Sequence, residues 1–119
     1  MEKQNLENLN ALLDLLAKGE FLQGMETYFA DDVAMQELDE PARHGKTECI
    51  VFEKQLLESV AEFIQYTAHT KGAGGDQTFY EATMEFKTTD GKHVKQNQVV
   101  VTTWKDGKVF RERYYHGNT

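Results

Sequence analysis

The sequence predicts an α+β domain, and three features of the chain support this prediction. Apolar residues in the first half recur at helical spacing, whereas the second half is rich in Thr, Tyr, Val and Phe, as strands are. In that second half, apolar and polar residues alternate. Two Asp-Gly pairs, Asp90-Gly91 and Asp106-Gly107, separate the alternating runs, and such pairs are typical of β-hairpin turns. We therefore expect helices from the first half to cover one face of an antiparallel sheet from the second.

Three helices and one short strand are predicted in the first half of the chain. Leucines at helical spacing define a first helix over residues 6–16, and Gly19 supplies its end. A second helix begins at Phe21 and ends at Asp31-Asp32. Residues 33–37 then alternate as a strand does, and a third helix extends over residues 47–63.

Four strands are predicted in the second half of the chain. The first covers residues 64–71, and the glycine-rich residues 73–76 end it. The second covers residues 78–88, the third residues 93–104 and the fourth residues 108–116. Because short turns separate them, we expect an antiparallel meander.

Composition limits the classes of function that the chain can serve. At 119 residues it fits one domain, residues 1–119. A net charge of −7 repels phosphate and anionic lipid surfaces, so neither nucleic acid nor a membrane is an expected partner. The chain shows neither a signal pattern nor a long apolar run, and we therefore expect a cytoplasmic protein. Cys49 lies in an apolar helical pattern, where packing is the expected role of a free cysteine.

The order of these elements resembles a known superfamily. The chain has two helices, the second ending in "YFADD", then a short strand and a loop with Pro41 and His44-Gly45. A long helix and a series of strands follow, and the last strands contain "WKDGKVFRERYYH". This order resembles that of the nuclear transport factor 2-like superfamily. Within it, the chain is most similar to the SnoaL-like and ketosteroid isomerase-like proteins. The resemblance implies a cystatin-like cone, in which a curved, mainly antiparallel sheet wraps around the long third helix beside two N-terminal helices. It also implies an apolar pocket, chemistry without a cofactor and a homodimer formed through the sheet.

Glu37 is the catalytic candidate that the resemblance implies. The isomerase branch has a proton-shuttling carboxylate five residues after the "FADD" pattern, and five residues after Asp32 is Glu37. A carboxylate at the edge of an apolar pocket has a raised pKa, which suits it to accept and return a proton. The alternative is that Glu37 begins the acidic loop "ELDEP" and is simply hydrated.

The hydrogen-bond donors of a steroid isomerase are absent from the corresponding positions. The branch has a tyrosine on the first helix and a protonated aspartate on the penultimate strand, where this chain has Leu12 and Val100. Losing one such donor typically costs about 10²- to 10³-fold in rate. We therefore do not expect steroid isomerase activity.

Strand alternation suggests which residues line the implied pocket. The expected ligand-binding residues on the strands are Met84, Phe86, Gln98, Val100, Thr102, Trp104 and Tyr114, with Tyr80 and Ala82 sharing the face of Met84, and Phe110, Glu112 and His116 that of Tyr114. Tyr28, on the second helix, is also expected in the pocket wall or the core. Glu112 would then be an acid among apolar neighbours, which needs a partner such as His116, His44 or the Tyr114 hydroxyl. A register slip of one residue would instead place Glu112 in solvent beside Arg111 or Arg113. Both arrangements are open at this stage.

Three classes of function remain open from the sequence. The first is an enzyme that abstracts a proton from a small apolar carbonyl compound, with Glu37, Glu112 and His116 as the candidate catalytic residues. The second is a binding module without chemistry, and the third is a dimerisation domain with an apolar outer face at Val99, Val101 and Thr103. The four histidines show no ligand spacing, so no metal site is predicted.

Overall fold

The helices and strands of the computed structural model, which describes residues 1–116, follow the predicted order with one added strand, β2. They are α1 Glu2–Ala17, α2 Phe21–Tyr28, β1 Phe29–Glu37, β2 Arg43–His44, α3 Lys46–Glu58, β3 Val60–Gly74, β4 Gln77–Thr88, β5 His93–Lys105 and β6 Lys108–His116. The last three residues of the predicted domain, 117–119, lie outside the described part of the chain. No helix within residues 1–116 is long and apolar enough to cross a membrane.

Within residues 1–116, the six strands form one sheet in the order β2-β1-β6-β5-β4-β3. Strands β3 to β6 form the predicted antiparallel meander, and β1 joins it by pairing parallel to β6. The sheet curves without closing into a barrel, so the predicted α+β class with a cystatin-like arrangement is confirmed.

The core lies between the inner face of the sheet and the helices. Leu9 and Leu12 of α1 are buried in one cluster with Tyr80 of β4 and Val100 of β5. Neighbouring residues of the same strands, such as Val99, face outward and are exposed. The alternation predicted for β4 and β5 is therefore confirmed.

Two predicted helix ends are wrong, because strand pairing overrides helical spacing at both. Helix α2 ends at Tyr28 rather than at Asp31-Asp32, since Phe29 already pairs with β6. Helix α3 ends at Glu58 rather than at residue 63, because β3 starts at Val60 and pairs with β4 along its length. Both β1 and β3 are consequently longer than predicted.

An irregularity between β5 and β6 determines which face Glu112 occupies. Thr103 pairs with Arg111 whereas the next residue, Trp104, pairs with Val109, so Phe110 is an extra residue on β6. Val109 is fully buried, and the Lys105 ammonium lies 5.2 Å from the centre of the Phe110 ring. The prediction that Phe110 alternates with Glu112 on one face is therefore wrong.

Beyond this bulge, the pairing is regular and places Glu112 inside. Thr102 pairs with Glu112 and Val100 with Tyr114. On the other side of β6, Met35 of β1 pairs with Glu112, and Glu37 with Tyr114. Residues paired in this way share a face, so strands β1, β5 and β6 direct these side chains toward the helices.

Candidate functional site

A cavity of about 150 Å³ lies between the inner face of the sheet and the helices. Most of its wall is apolar, and a small number of polar side chains project into it. Its lining residues are Leu12, Leu16, Phe21, Met25, Phe29, Met35, Gln36, Glu37, Arg43, Phe52, Glu53, Leu56, Tyr66, Tyr80, Met84, Gln98, Glu112 and Tyr114. An apolar hollow with a few convergent polar groups is the usual form of a small-molecule site.

Glu112 is a buried carboxyl in the cavity wall, with 5% of its surface exposed. The Thr102 hydroxyl donates to its Oε2 at 3.0 Å, and the Tyr114 hydroxyl donates to its Oε1. Glu112 forms no ion pair within residues 1–116. Burial raises the pKa of Glu112 above its ordinary value, and the two donated hydrogen bonds oppose that rise. A raised pKa brings a carboxyl closer to the range in which it can both accept and return a proton.

Two buried tyrosines form a hydrogen-bonded pair in the same wall. The hydroxyl oxygens of Tyr66 and Tyr80 are 2.8 Å apart, and Nε2 of Gln98 donates to the Tyr66 hydroxyl at 3.1 Å. The two hydroxyls have two protons, and the bond between them uses one. Neither hydroxyl donates to another acceptor within residues 1–116, so the second proton is available to a ligand oxygen. Burial raises the pKa of both tyrosines, which keeps them protonated at neutral pH.

Four partly exposed side chains surround the opening of the cavity, and we call them the rim. They are Glu37, Arg43, Glu53 and Leu56. Oε2 of Glu37 lies 2.8 Å from Nε2 of His116, and 43% of the Glu37 side chain is exposed. This contact ties the end of β1 to the end of β6. Glu37 is therefore solvated at the opening, whereas Glu112 lies inside the cavity.

The other two charged rim residues come from β2 and α3. The Arg43 guanidinium stacks on the Phe52 ring, 3.2 Å from its centre. The pKa of Glu53 is raised, first by burial and then by the charges of Glu112 and Glu37. Three carboxyl groups and one guanidinium therefore share one small cavity.

Several solved structures have the same fold as this protein. A scan against protein-family models and a search of curated proteins find no match. Among solved structures, a protein assigned as a SnoaL-like polyketide cyclase from Mesorhizobium loti is 26% identical, with a TM-score of 0.78 over 92% of this chain and 97% of that one. The chain has the fold of the nuclear transport factor 2-like proteins. The similarity to the Mesorhizobium protein also supports the SnoaL-like branch of the superfamily.

Two further structures show the same nuclear transport factor 2-like fold at lower identity. A protein from Jannaschia sp. CCS1, also assigned as a SnoaL-like polyketide cyclase, is 19% identical with a TM-score of 0.84, covering 97% of this chain and 86% of that one. An LEH-like epoxide hydrolase from M. tuberculosis is 17% identical with a TM-score of 0.81, covering 98% and 84%.

The structure brings some of the predicted site residues together in the cavity and leaves others outside it. Those that line the cavity are Glu37, Met84, Gln98, Glu112 and Tyr114. Those outside the lining are Tyr28, Phe86, Val100, Thr102, Trp104 and His116. Thr102 and His116 nevertheless hold Glu112 and Glu37, respectively. Val100 is fully buried, and Trp104 donates its Nε1–H to Thr78 at 2.8 Å, so both fill the core instead.

Sequence reasoning placed Tyr80 on the inner face but missed Arg43, Glu53 and Tyr66. A signal for Glu53 was present, because it follows Cys49 by four residues and so lies on the apolar side of α3. No comparable signal marks Arg43, which lies in a two-residue strand after an irregular loop. Tyr66 sits in β3, whose inner face was not assigned from the sequence.

The positions of the missing isomerase donors are apolar in the structure. Leu12 contributes to the cavity wall and Val100 to the core, so neither can donate a hydrogen bond to a ligand. The Tyr66–Tyr80 pair supplies a different donor to the same space. Among residues 1–116, no group of three or more acids, histidines or cysteines is arranged to hold a metal ion.

Proposed function

We propose that this protein binds a small apolar carbonyl compound in the cavity and catalyses a proton transfer on it without a cofactor. The observation that carries this proposal is Glu112, a buried carboxyl in an apolar cavity, held by two hydroxyl donors and without a cationic partner among residues 1–116. The names of three structural neighbours, two polyketide cyclases and one epoxide hydrolase, denote enzymes that act on small organic molecules. This agreement supports a catalytic role for the cavity.

The proposed step moves one proton. The ionised Glu112 carboxylate removes a proton from the carbon beside the substrate carbonyl, and the electron pair of the C–H bond shifts to the carbonyl oxygen as an enolate. The spare hydroxyl proton of the Tyr66–Tyr80 pair donates a hydrogen bond to that oxygen. Glu112 then either passes this proton to solvent and delivers another to the same carbon, which is an exchange, or returns it to a different carbon, which is an isomerisation. In a cyclase-type reaction, the enolate carbon would instead form a bond to a second carbonyl carbon, whose C=O electron pair moves to its oxygen, and that oxygen takes the proton from Glu112.

We assign the proton transfer to Glu112 rather than to Glu37. Glu37 is 43% exposed, and Oε2 of its carboxyl is already bonded to His116. Thr102 and Tyr114 fix both oxygens of Glu112, which orients the carboxyl toward the cavity. We propose that the Glu37–His116 pair instead ties the ends of β1 and β6 together at the rim.

The pH dependence of exchange tests this proposal. We expect the wild-type protein to catalyse loss of deuterium from the α-carbons of cyclohexanone, measured by NMR. Only the ionised carboxylate acts as a base, and the pKa of Glu112 is raised. The rate should therefore increase with pH through a midpoint above about 4.3, the ordinary value of glutamate. Catalysed exchange that is flat with pH, or absent for a ketone that binds, would contradict the proposal.

A non-catalytic binding module is the second candidate. Hydroxyls already satisfy both oxygens of Glu112, and such a network could serve only to fix the shape of the cavity. The two functions differ in one measurement. A binding module would shift the NMR signals of the protein on adding cyclohexanone but would leave the exchange rate of the ketone at its value in buffer.

We also propose that two copies pair through the outer face of the sheet. Phe79 and Val99 on that face are 41% and 40% exposed, and Val101 lies beside them. Val99→Asp should convert a dimer into a monomer, because it adds a second carboxylate beside Glu81, its cross-strand neighbour, and removes apolar surface from this patch. Sedimentation velocity measures the change, and Val51→Asp on the exposed side of α3 is the matched control. A wild-type protein that is monomeric at micromolar concentration would end this proposal.

A further inference from the structure

The size of the cavity limits the substrate that Glu112 can serve, and the inference that follows rests on the function proposed above. A cavity volume of about 150 Å³ is small. In another protein, an engineered cavity of roughly 150 Å³ encloses one benzene molecule, whereas pockets for drug-sized ligands begin at roughly 300 Å³. The space beside Glu112 therefore holds one ring, not the fused rings of a steroid or a polycyclic compound.

The aromatic side chains of the cavity wall prevent the cavity from expanding to take a larger ligand. The rings of Phe21 and Tyr66 meet edge to face with centres 5.7 Å apart, and those of Tyr66 and Tyr80 with centres 6.4 Å apart. Tyr66 is also fixed by its hydrogen bonds to Tyr80 and Gln98. Displacing packed rings in a close-packed interior has a high free-energy cost, so a longer ligand cannot extend past these rings.

Arg43 marks a second polar point at the rim. Its guanidinium is held by stacking on Phe52, and its N–H groups make no hydrogen bond or ion pair within the described part of the chain. A guanidinium held by its flat face keeps its donor edge for another partner. The charges beside it select that partner, because Glu37 and Glu53 on the same rim repel an anion.

We infer that the substrate is an uncharged single-ring compound with two oxygen acceptors, one bonded by the Tyr66–Tyr80 pair and the other by Arg43. The first oxygen is the carbonyl that becomes the enolate. The second lies toward the opening and orients the ring so that an α-carbon faces Glu112. Arg43 is thus a binding and specificity residue that the sequence pattern did not reveal.

Ligand size is the first test. Cyclohexane-1,4-dione has one ring with two opposed carbonyl oxygens, and decahydronaphthalene-1,4-dione adds a second ring. We expect the two-ring compound to bind to the wild-type protein at least about tenfold more weakly, measured as dissociation constants by NMR titration. Equal or tighter binding of the two-ring compound would overturn the size limit.

The role of Arg43 is tested by the ratio of two affinities, one for a ligand with two carbonyl oxygens and one for a ligand with a single carbonyl oxygen. The wild-type protein should bind cyclohexane-1,4-dione about tenfold more tightly than cyclohexanone, which lacks the second oxygen. Arg43→Met should remove this preference, whereas Arg111→Met on the exposed side of β6 should retain it. Equal preference in wild type and Arg43→Met would overturn the assignment. Tighter binding of 4-oxocyclohexanecarboxylate than of the dione would overturn the uncharged class in favour of a carboxylate.

These outcomes separate the inference from the proposed function. Exchange of deuterium from cyclohexanone needs Glu112 and the tyrosine pair but no second oxygen. If that exchange is catalysed while the preference for the dione is absent, then the substrate class is wrong and proton transfer stands. If no exchange is catalysed for any ketone that binds, then the proposed function itself fails.

Discussion

Replacing Glu112 by Gln should lower the catalysed exchange of α-deuterium from cyclohexanone by about 10²- to 10⁴-fold, the usual contribution of a positioned base. An amide has the shape of the carboxyl but cannot take the substrate proton. Its oxygen and its NH₂ group can still bond to the hydroxyls of Thr102 and Tyr114, so the geometry of the wall is preserved. NMR exchange rates at saturating ketone give the comparison directly.

The same substitution should leave the protein at least as stable at neutral pH. The folded-state pKa of Glu112 is raised, so the folded protein holds this proton at pH values where the unfolded chain has released it. The free energy of unfolding therefore decreases as pH increases from the ordinary glutamate pKa through the folded-state pKa. Glu112→Gln removes this decrease, and thermal unfolding at several pH values should show a flatter profile above pH 5 than in wild type. A loss of rate without a loss of stability would distinguish a functional residue from a packing residue.

Two other variants complete this experiment. Glu81→Gln, on the exposed face of β4, is the matched control and should retain the wild-type rate. Glu37→Gln decides between the two candidate bases. If Glu37→Gln greatly lowers the exchange rate and Glu112→Gln does not, then the base is Glu37 at the rim and the assignment to Glu112 is wrong.

Much of the fold could be predicted because local patterns determine it. Alternation in residues 78–88 and 93–104 identified the buried faces of β4 and β5, since period-two burial depends on neighbours along one strand. The two Asp-Gly turns were predicted for the same reason. The helix ends were not predictable in this way, because Val60 and Phe29 leave helical geometry to pair with strands far along the chain.

The site was less predictable than the fold, because it depends on relations between elements. The extra residue at Phe110 determines that Glu112 faces inward, and no pattern in the local sequence predicts this bulge. Whether an inward residue lines the cavity or fills the core depends on where the helices sit. Gln98 and Val100 share one face of β5, yet Gln98 reaches the cavity and Val100 is sealed in the core.

Removing both hydroxyls of the Tyr66–Tyr80 pair should greatly lower the exchange rate, whereas removing either one alone should not. In Tyr66→Phe, Tyr80 keeps its own proton to donate, and in Tyr80→Phe, Tyr66 keeps its proton while still accepting from Gln98. Each single variant should therefore retain a donor for the enolate oxygen and lose less than about tenfold in exchange rate. The double variant has no hydroxyl at this point and should lose about 10²- to 10³-fold, as when an oxyanion donor is removed.

Stability should separate the two single variants. Tyr66→Phe leaves the buried Gln98 amide without its acceptor, which costs roughly 1–3 kcal/mol, whereas Tyr80→Phe leaves that bond intact. Thermal unfolding should thus show the larger decrease in Tyr66→Phe, and Tyr115→Phe on the outer face should match wild type in rate and stability. If the exchange losses of the single variants simply add in the double variant, then the two hydroxyls act independently and do not share one spare proton. If the double variant exchanges at the wild-type rate, then the enolate oxygen is stabilised elsewhere in the cavity.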